Sequence, residues 1–286
     1  MAAWWQSIET VVGVDFSGAA QAGDFIFLAE LDVRTNPPTV RSLDNLGRMV
    51  GTPVRDAVLS GLVDRILASR RTLWGIDFPF ALPVELFDDH ITFARQLTHV
   101  TEAADDAKAF GRACVARCEG RLGRKHVRRL TDIESRTPFD CYHYRIIHQT
   151  FHGMRRVLHP LKASWTTSGV GAVLPFDRPD GATVFVAESC PGSTLKRWGL
   201  PHQNYKHALP GPLPAVCRRT RAVLYRALRE KVSAPPAVWN RIARNRGGDA
   251  LDSLVAALGV WEAARRYDPL AVATHPRYPR EGLVFF

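Results

Sequence analysis

The stretch VVGVDFSGAA, residues 11–20, indicates the fold and raises the first question about function. Its branched residues Val11, Val12 and Val14 are typical of a buried β-strand. A carboxylate at the end of such a strand is costly to bury unless a cation or a hydrogen-bond donor meets it. Asp15, which follows directly, is therefore either part of a turn or a ligand, and the rest of the sequence has to distinguish the two.

Hydrophobic periodicity along the chain predicts the remaining elements of the sheet. The predicted strands cover residues 11–17, 25–33, 40–46, 73–78 and 183–187, and the predicted helices cover 54–68, 217–232 and 249–266. The first three strands lie close enough in sequence to form an antiparallel meander, and a right-handed helical crossover would make the fourth parallel to the first. We expect an α/β fold in which a mixed five-stranded sheet, three antiparallel strands and then two parallel ones, is flanked by helices.

Residues 84–181 interrupt this pattern with helical, arginine-rich sequence, which we expect to be an insertion between strands four and five of a single domain, 1–286. Between residues 112 and 145, nine Lys or Arg residues stand against four acids. Aromatic residues at Phe139, Tyr142 and Tyr144 could stack unpaired bases beside these charges. The predicted nucleic-acid contacts are Arg124, Lys125, Arg128 and Arg129. A solvated helical face is the alternative.

Composition narrows the class of protein. The chain of 286 residues has a formal charge of +10 and a pI near 9.8, which favours a polyanionic partner such as nucleic acid. Five cysteines in a chain of this length are typical of reduced thiols rather than a disulfide framework. The absence of a long apolar run and of a signal-like start predicts a cytoplasmic protein without a membrane partner. The oligomeric state is left open, and a homodimer is one option.

Four further acidic residues occupy positions that could bring them to Asp15. The segment WGIDFPF ends a strand at Asp77, VFVAES ends one at Glu188, and GGDALDSL begins a helix with Asp249 and Asp252. Because the carboxyl ends of neighbouring parallel strands meet at one edge of a sheet, we expect these carboxylates to converge. A set of hard oxygen ligands without thiolates indicates Mg²⁺ or Mn²⁺. Each aspartate by itself also fits a turn or helix cap, so the metal site rests on their conjunction.

A second metal site is the competing interpretation of the insertion. Cys114 and Cys118, and likewise His148 and His152, are spaced so that each pair lies on one side of a helix. Such pairs could hold a tetrahedral zinc, although this cysteine spacing is looser than that of common zinc knuckles. Buried cysteines and scattered histidines without any metal are the more common outcome.

Four segments together carry a resemblance to a known family. VGVDFSGAA, WGIDFPFALP, AESCPGSTLKRWGLPHQNYK and GGDALDSLVAAL resemble, in this order, the DUF429 family of RNase H-like nucleases over most of the chain. The closing DALDSLVAAL is also similar to the C-terminal helix of RuvC-type Holliday-junction resolvases. The resemblance implies an RNase H-like fold and metal-dependent cleavage of phosphodiester bonds.

Carried over position by position, the resemblance implies that Asp15, Asp77, Asp249 and Asp252 hold the metal ions. RuvC-type enzymes usually have a glutamate where this chain has Asp77. Glu188 and Lys206 match segments typical of DUF429 and are included as catalytic candidates, Glu188 also as a ligand. We therefore expect a two-metal-ion nuclease.

Two functions of other classes remain open at this stage. One is a phosphotransferase of the acetate and sugar kinase, Hsp70 and actin superfamily, and the other is a non-catalytic nucleic-acid-binding protein. A kinase of that class should have a glycine-rich loop after strand four, where this chain has DFPFALP.

Overall fold

The computed structural model describes residues 3–88, 90–209 and 211–286. A mixed sheet forms its centre, and β-branched and aromatic residues dominate the inner strands, as expected where both faces are covered. Its strands are β1 (Thr10–Asp15), β2 (Phe27–Asp32), β3 (Thr39–Asn45), β4 (Thr72–Ile76), β5 (Gly171–Leu174), β6 (Val184–Ser189) and β7 (Val284–Phe285). The strand order is β3-β2-β1-β4-β6-β5, and β7 pairs with the end of β6 beyond β5.

The directions of the strands agree with the mixed sheet predicted from the sequence. β1, β2 and β3 form an antiparallel meander, β4 runs parallel to β1, and β6 runs parallel to β4. The sheet is larger than predicted, because β5 and β7 add two short parallel strands to β6. β5 lies within residues 84–181, so that this segment is not purely helical and contributes one strand to the sheet.

Helices cover both faces of the sheet. They are α1 (Leu46–Val50), α2 (Arg55–Ala68), α3 (Phe93–Glu102), α4 (Ala107–Leu122), α5 (Leu130–Glu134), α6 (Ile147–Gly153), α7 (His159–Ser168), α8 (Pro191–Arg197), α9 (Ala215–Lys231), α10 (Pro236–Arg244), α11 (Asp249–Ala264), α12 (Pro269–Ala273) and α13 (Tyr278–Glu281). A π-helical turn at Met154–Leu158 joins α6 to α7. Among the described helices, none combines the length and apolar character that crossing a bilayer requires.

Alternation along the strands divides the core into two layers. Val12 and Val14 of β1 face the layer that contains α2 and the helices of the insertion. Val11 faces the opposite layer, which contains α9 and α11. The helices of the insertion therefore pack on one face of the sheet, and α9 and α11 pack on the other.

Two glycines set the close approach of α11 to the sheet. A β-carbon at Gly13 of β1 would overlap the backbone of α11 at Ser253 and Ala257. A β-carbon at Gly75 of β4 would come within 2.7 Å of the Val260 side chain. The helix thus rests directly on the backbones of the two strands that carry the predicted acidic residues at their ends.

Candidate active site

Asp15 and Asp77 lie next to each other at the carboxyl edge of the sheet. β1 and β4 pair in parallel with Val14 opposite Ile76, and the Asp77 amide donates to the Val14 carbonyl oxygen at 3.0 Å. Asp15 and Asp77 are therefore the next residues on neighbouring strands, whose backbones lie about 4.8 Å apart. Asp15 shares the face of Gly13, so its side chain points to the α11 side. The convergence of these two aspartates, predicted from the sequence, is present.

The first turn of α11 supplies the remaining aspartates. Asp252 is buried, with 2% of its surface exposed, and Asp249 is half-buried. Both affect the ionisation of Asp15, and Asp252 also affects that of Asp77. The glycine contacts described above explain why the start of this helix reaches the ends of β1 and β4.

Lys206 and Tyr205 hold the Asp252 carboxylate from the loop before α9. The Lys206 ammonium group contacts Oδ2 of Asp252, and the Tyr205 hydroxyl donates to Oδ1 at 2.8 Å. Desolvation of its ammonium group lowers the pKa of Lys206, but the carboxylates of Asp252 and Asp15 outweigh this effect and raise the pKa above its usual value. The Lys206 side chain is 51% exposed, so this residue lines the solvent-facing side of the cluster.

Asn245 fixes Asp249 and the start of α11. Its Nδ2 donates to Oδ2 of Asp249 at 3.1 Å, and its Oδ1 accepts from the amides of Gly248 and Ala250. The side chain therefore caps the helix from four residues before Asp249, which satisfies amides that a helix start otherwise leaves unpaired. Sequence reasoning missed Asn245 and Tyr205. Their proximity in sequence to Asp249 and Lys206 was the signal that could have identified them.

The cluster is electrostatically strained in the absence of a cation. Burial raises the pKa of Asp15 well above its usual value, and the neighbouring carboxylates, Asp252 foremost, raise it further against the effect of Lys206. Burial, Asp252 and Glu188 raise the pKa of Asp77 to about 7, again opposed by Lys206. Within the described residues, neither carboxylate accepts a hydrogen bond. Oxygen ligands without donors are the chemistry that a hard divalent cation would satisfy.

Glu188 reaches the same edge of the sheet but faces the other layer. It pairs with Ile76 in β4, and Val184 and Val186 on the same face of β6 belong to the layer of the insertion. Because the side chains of a strand alternate, a difference of one residue in register places a carboxylate on the opposite face. Glu188 influences the pKa of Asp77, but its own oxygens are bound elsewhere.

Arg129 is the partner of Glu188. Its guanidinium donates to Oε1 at 2.5 Å and to Oε2 at 2.8 Å, and it also forms two hydrogen bonds with Asp132. The Phe80 amide donates to Oε2 of Glu188 at 2.9 Å. Arg129 is fully buried, with 0% of its surface exposed, so it cannot contact a phosphate backbone as predicted. The prediction was wrong because a run of basic residues does not reveal which side chain points inward.

The other basic residues predicted for nucleic acid are on the surface. Arg124, Lys125 and Arg128 are exposed. Tyr144 is 73% exposed, whereas Tyr142 is buried and accepts a hydrogen bond from the Val127 amide. Tyr142 therefore stabilises the basic loop from within, which leaves Tyr144 and the half-buried Phe139 as the accessible rings.

The cysteine and histidine pairs of the insertion lie on separate helices. Cys114 and Cys118 lie on α4, and burial raises the pKa of Cys114 to about 12. His148 and His152 lie on α6 with their ring centres 6.1 Å apart, and burial lowers the pKa of His152 to about 4. Across the described ranges, no group of three or more His, Cys, Asp or Glu side chains stands at metal-binding spacing.

The carboxylates of the acidic cluster also do not form such a group, and the Lys206 ammonium group already lies against Asp252. The chemistry of the site nevertheless fits a divalent cation, since no donor among the described residues satisfies the carboxylate oxygens of Asp15 and Asp77. Known proteins provide no relative with which this geometry could be compared. No family model, no curated protein and no solved structure matches the chain.

Proposed function

We propose that this protein is a Mg²⁺- or Mn²⁺-dependent nuclease with an RNase H-like fold, which hydrolyses phosphodiester bonds of nucleic acid. One observation carries the proposal: Asp15, Asp77 and Asp252 come from three separate elements and converge beside Lys206. Folding buries these charges against their mutual repulsion. A cluster that raises the pKa of its own carboxylates is typical of a functional site rather than of a stabilising one.

The residues proposed to hold the cations are Asp15, Asp77, Asp252 and Asp249. Bound divalent cations supply Lewis acidity, which lowers the pKa of an attacking water and stabilises the leaving oxygen of a phosphodiester. Lys206, at the exposed side of the cluster, would place positive charge beside the incoming phosphate. Glu188 acts in this proposal through charge, because Arg129 and Phe80 already occupy its oxygens.

A polyanionic substrate is supported by the surface of the insertion. Arg124, Lys125 and Arg128 are exposed, and Lys125 lines a pocket together with Tyr144. Arg145 lies 5.8 Å from the centre of the Tyr144 ring. Basic side chains interleaved with aromatic rings are typical of surfaces that bind unpaired nucleic acid. The phosphotransferase alternative finds no such support. The loop after β4 has no glycine there, and the Phe80 amide is bound to Glu188 rather than free for a phosphate.

The proposal is tested by a cleavage assay on labelled single strands, duplexes, RNA–DNA hybrids and four-way junctions. Each substrate is incubated with Mg²⁺, Mn²⁺ or EDTA, and with the Asp15→Asn variant in parallel. Asp64→Asn, which changes an exposed aspartate of α2, is the matched control. We expect cleavage of at least one substrate that EDTA and Asp15→Asn abolish and Asp64→Asn leaves unchanged.

Two results would overturn the proposal. Cleavage that persists in EDTA, or in Asp15→Asn, would remove the acidic cluster from the reaction. Metal-dependent ATP turnover with sugar or acyl acceptors, in the absence of nucleic-acid cleavage, would establish the phosphotransferase instead.

A further inference from the structure

A cavity of about 940 Å³ opens beside the acidic cluster, between the ends of β2 and β3 on one side and α10 on the other. Its wall is polar and contains three arginines, Arg48, Arg241 and Arg244, together with Asn240 and Asn245. A volume of this size accommodates a ligand larger than an isolated ion. None of the residues proposed to hold the cations lines this cavity.

The charges of the cavity are only partly paired within the protein. Asp44 forms an ion pair with Arg241 at 2.5 Å, and the pKa of this half-buried carboxyl, although burial raises it, is lowered overall by Arg241 and Arg48. Within the described residues, the guanidinium groups of Arg48 and Arg244 form no ion pair or hydrogen bond. Apart from Asp44, the acidic residue that lines the cavity is Asp24. Two arginines without an ion-pair partner among the described residues, beside amide side chains, suit an anion with several oxygen acceptors, such as a phosphodiester.

The cavity is continuous with the acidic cluster through two residues. Asn245 lines the cavity and donates to the Asp249 carboxylate at 3.1 Å. Phe27 also lines it, and it is the register partner of Asp15 in β2. The cavity is therefore the neighbouring position for a chain that has one phosphodiester at the aspartates.

On the other side of β1 and β4, the insertion reaches the same edge of the sheet. Asp15 and Asp77 follow the central strands β1 and β4, the cavity lies at β2 and β3, and Arg129 links the basic segment of the insertion to β6. The basic segment of the insertion is thus tied to the same edge of the sheet at β6, on the opposite face from Asp15 and Asp77. A single mononucleotide would occupy only one of these positions, whereas a polynucleotide strand spans them.

We propose that the cavity between α10 and the ends of β2 and β3 binds the phosphodiester backbone of a nucleic-acid strand next to the bond at the aspartates, through Arg48 and Arg244. This inference rests on the proposed nuclease function, whose substrate it specifies as a strand that extends from the cleavage site toward β3.

The test measures binding of a labelled single-stranded oligonucleotide in EDTA, where no cleavage intervenes, over a range of salt concentrations. The variant is Arg48→Gln/Arg244→Gln. Its control is Arg65→Gln/Arg70→Gln, which removes the same charge from a cavity at the opposite edge of the sheet. We expect the first variant to weaken binding at least about tenfold and to reduce the slope of log K against log salt by about 1.4, for two lost contacts to a single strand. The control should bind as wild type does.

Unchanged affinity and slope in Arg48→Gln/Arg244→Gln, or an equal loss in the control, would overturn the inference. So would displacement of the oligonucleotide by an equal concentration of a 5′-mononucleotide, which would make the cavity a nucleotide site. Because binding is measured without metal, its outcome is separate from the cleavage assay. Cleavage with normal binding in the variant removes only this inference, and specific binding without any cleavage removes only the nuclease.

Discussion

The Lys206 ammonium group lies against Oδ2 of Asp252, while Tyr205 donates to the other oxygen of the same carboxylate. Asp252 is thus fully satisfied by protein groups, whereas Asp15 and Asp77 beside it have no donor in the described part of the chain. The protein neutralises one member of the cluster and leaves two exposed to mutual repulsion. This asymmetry allows each residue to be tested separately.

Asp15→Asn removes one carboxylate and its repulsion while it preserves the shape of the side chain. Since burial and the neighbouring acids raise the pKa of Asp15, its charge destabilises the metal-free protein at neutral pH. We expect the melting temperature in EDTA to stay equal or rise, and the stabilisation by added Mg²⁺ to shrink. Thermal melts of both proteins with Mg²⁺ and with EDTA check this. A loss of about 1 kcal/mol in both buffers would instead identify a turn-capping aspartate.

Asp77 gives the metal-free protein a defined pH dependence. Its pKa is raised from 3.8 to about 7, so the folded protein holds this proton more tightly than the unfolded chain does. The contribution of Asp77 to the free energy of unfolding is therefore most favourable when Asp77 is protonated. It is lost as the pH rises from about 4 through about 7. Asp252, Lys206 and Glu188 are the charged groups that act on it.

The Asp77→Asn variant has no carboxyl group to titrate at this position, so wild type is compared with it. In EDTA, we expect the melting temperature of the variant minus that of wild type to increase between pH 4 and pH 8, by a few degrees for each kcal/mol involved. A difference that is constant over this range would mean that Asp77 titrates normally.

Lys206→Gln should destabilise the metal-free protein and enlarge its response to metal. The substitution leaves buried Asp252 without its cation, which costs about 1–3 kcal/mol. It also frees one carboxylate oxygen, so that added Mg²⁺ should raise the melting temperature more than in wild type. Lys231→Gln, which breaks an ion pair with Glu262 at the partly exposed surface, is the control and should cost at most about 1 kcal/mol. A smaller Mg²⁺ response in Lys206→Gln would contradict this arrangement.

Arg129→Gln tests whether this arginine is structural. The substitution would leave Glu188 and Asp132 buried without their partner. We expect the free energy of unfolding, measured by chemical denaturation, to fall by about 3–5 kcal/mol. The exposed neighbour Arg128→Gln should change stability by less than about 0.5 kcal/mol. If Arg129→Gln does not fold, Arg129→Lys keeps the charge and loses the paired hydrogen bonds. Normal stability combined with weakened oligonucleotide binding would restore a surface role for Arg129.

The triple variant Arg124→Gln/Lys125→Gln/Arg128→Gln tests the basic surface of the insertion. Loss of three contacts to a single strand should flatten the salt dependence of binding by about 2 log units per log unit of salt. The control removes three charges elsewhere, at Arg65, Arg70 and Arg178. If affinity and slope are equal in the triple variant, its control and wild type, the segment is a solvated face.

Sequence reasoning predicted the order and direction of the central strands because periodicity and short connections constrain both. It missed β5 and β7, which are four and two residues long, since runs this short carry no distinguishable period. It placed Asp15 and Asp77 together because both end parallel neighbours. It brought Glu188 to the same edge of the sheet but did not show which face its side chain takes, because that depends on a strand register that no local pattern specifies.

The contacts of Gly13 and Gly75 with α11 also limit how the site can move. The backbone of α11 lies directly against Gly13 of β1 and its Val260 side chain against Gly75 of β4, so any tilt of α11 would separate groups already in van der Waals contact. A swing of α11 that withdrew Asp252 from Asp15 and Asp77 would have to break these contacts. If the surroundings of Asp252 change, we expect the change in the loop that carries Lys206 and Tyr205 rather than in α11.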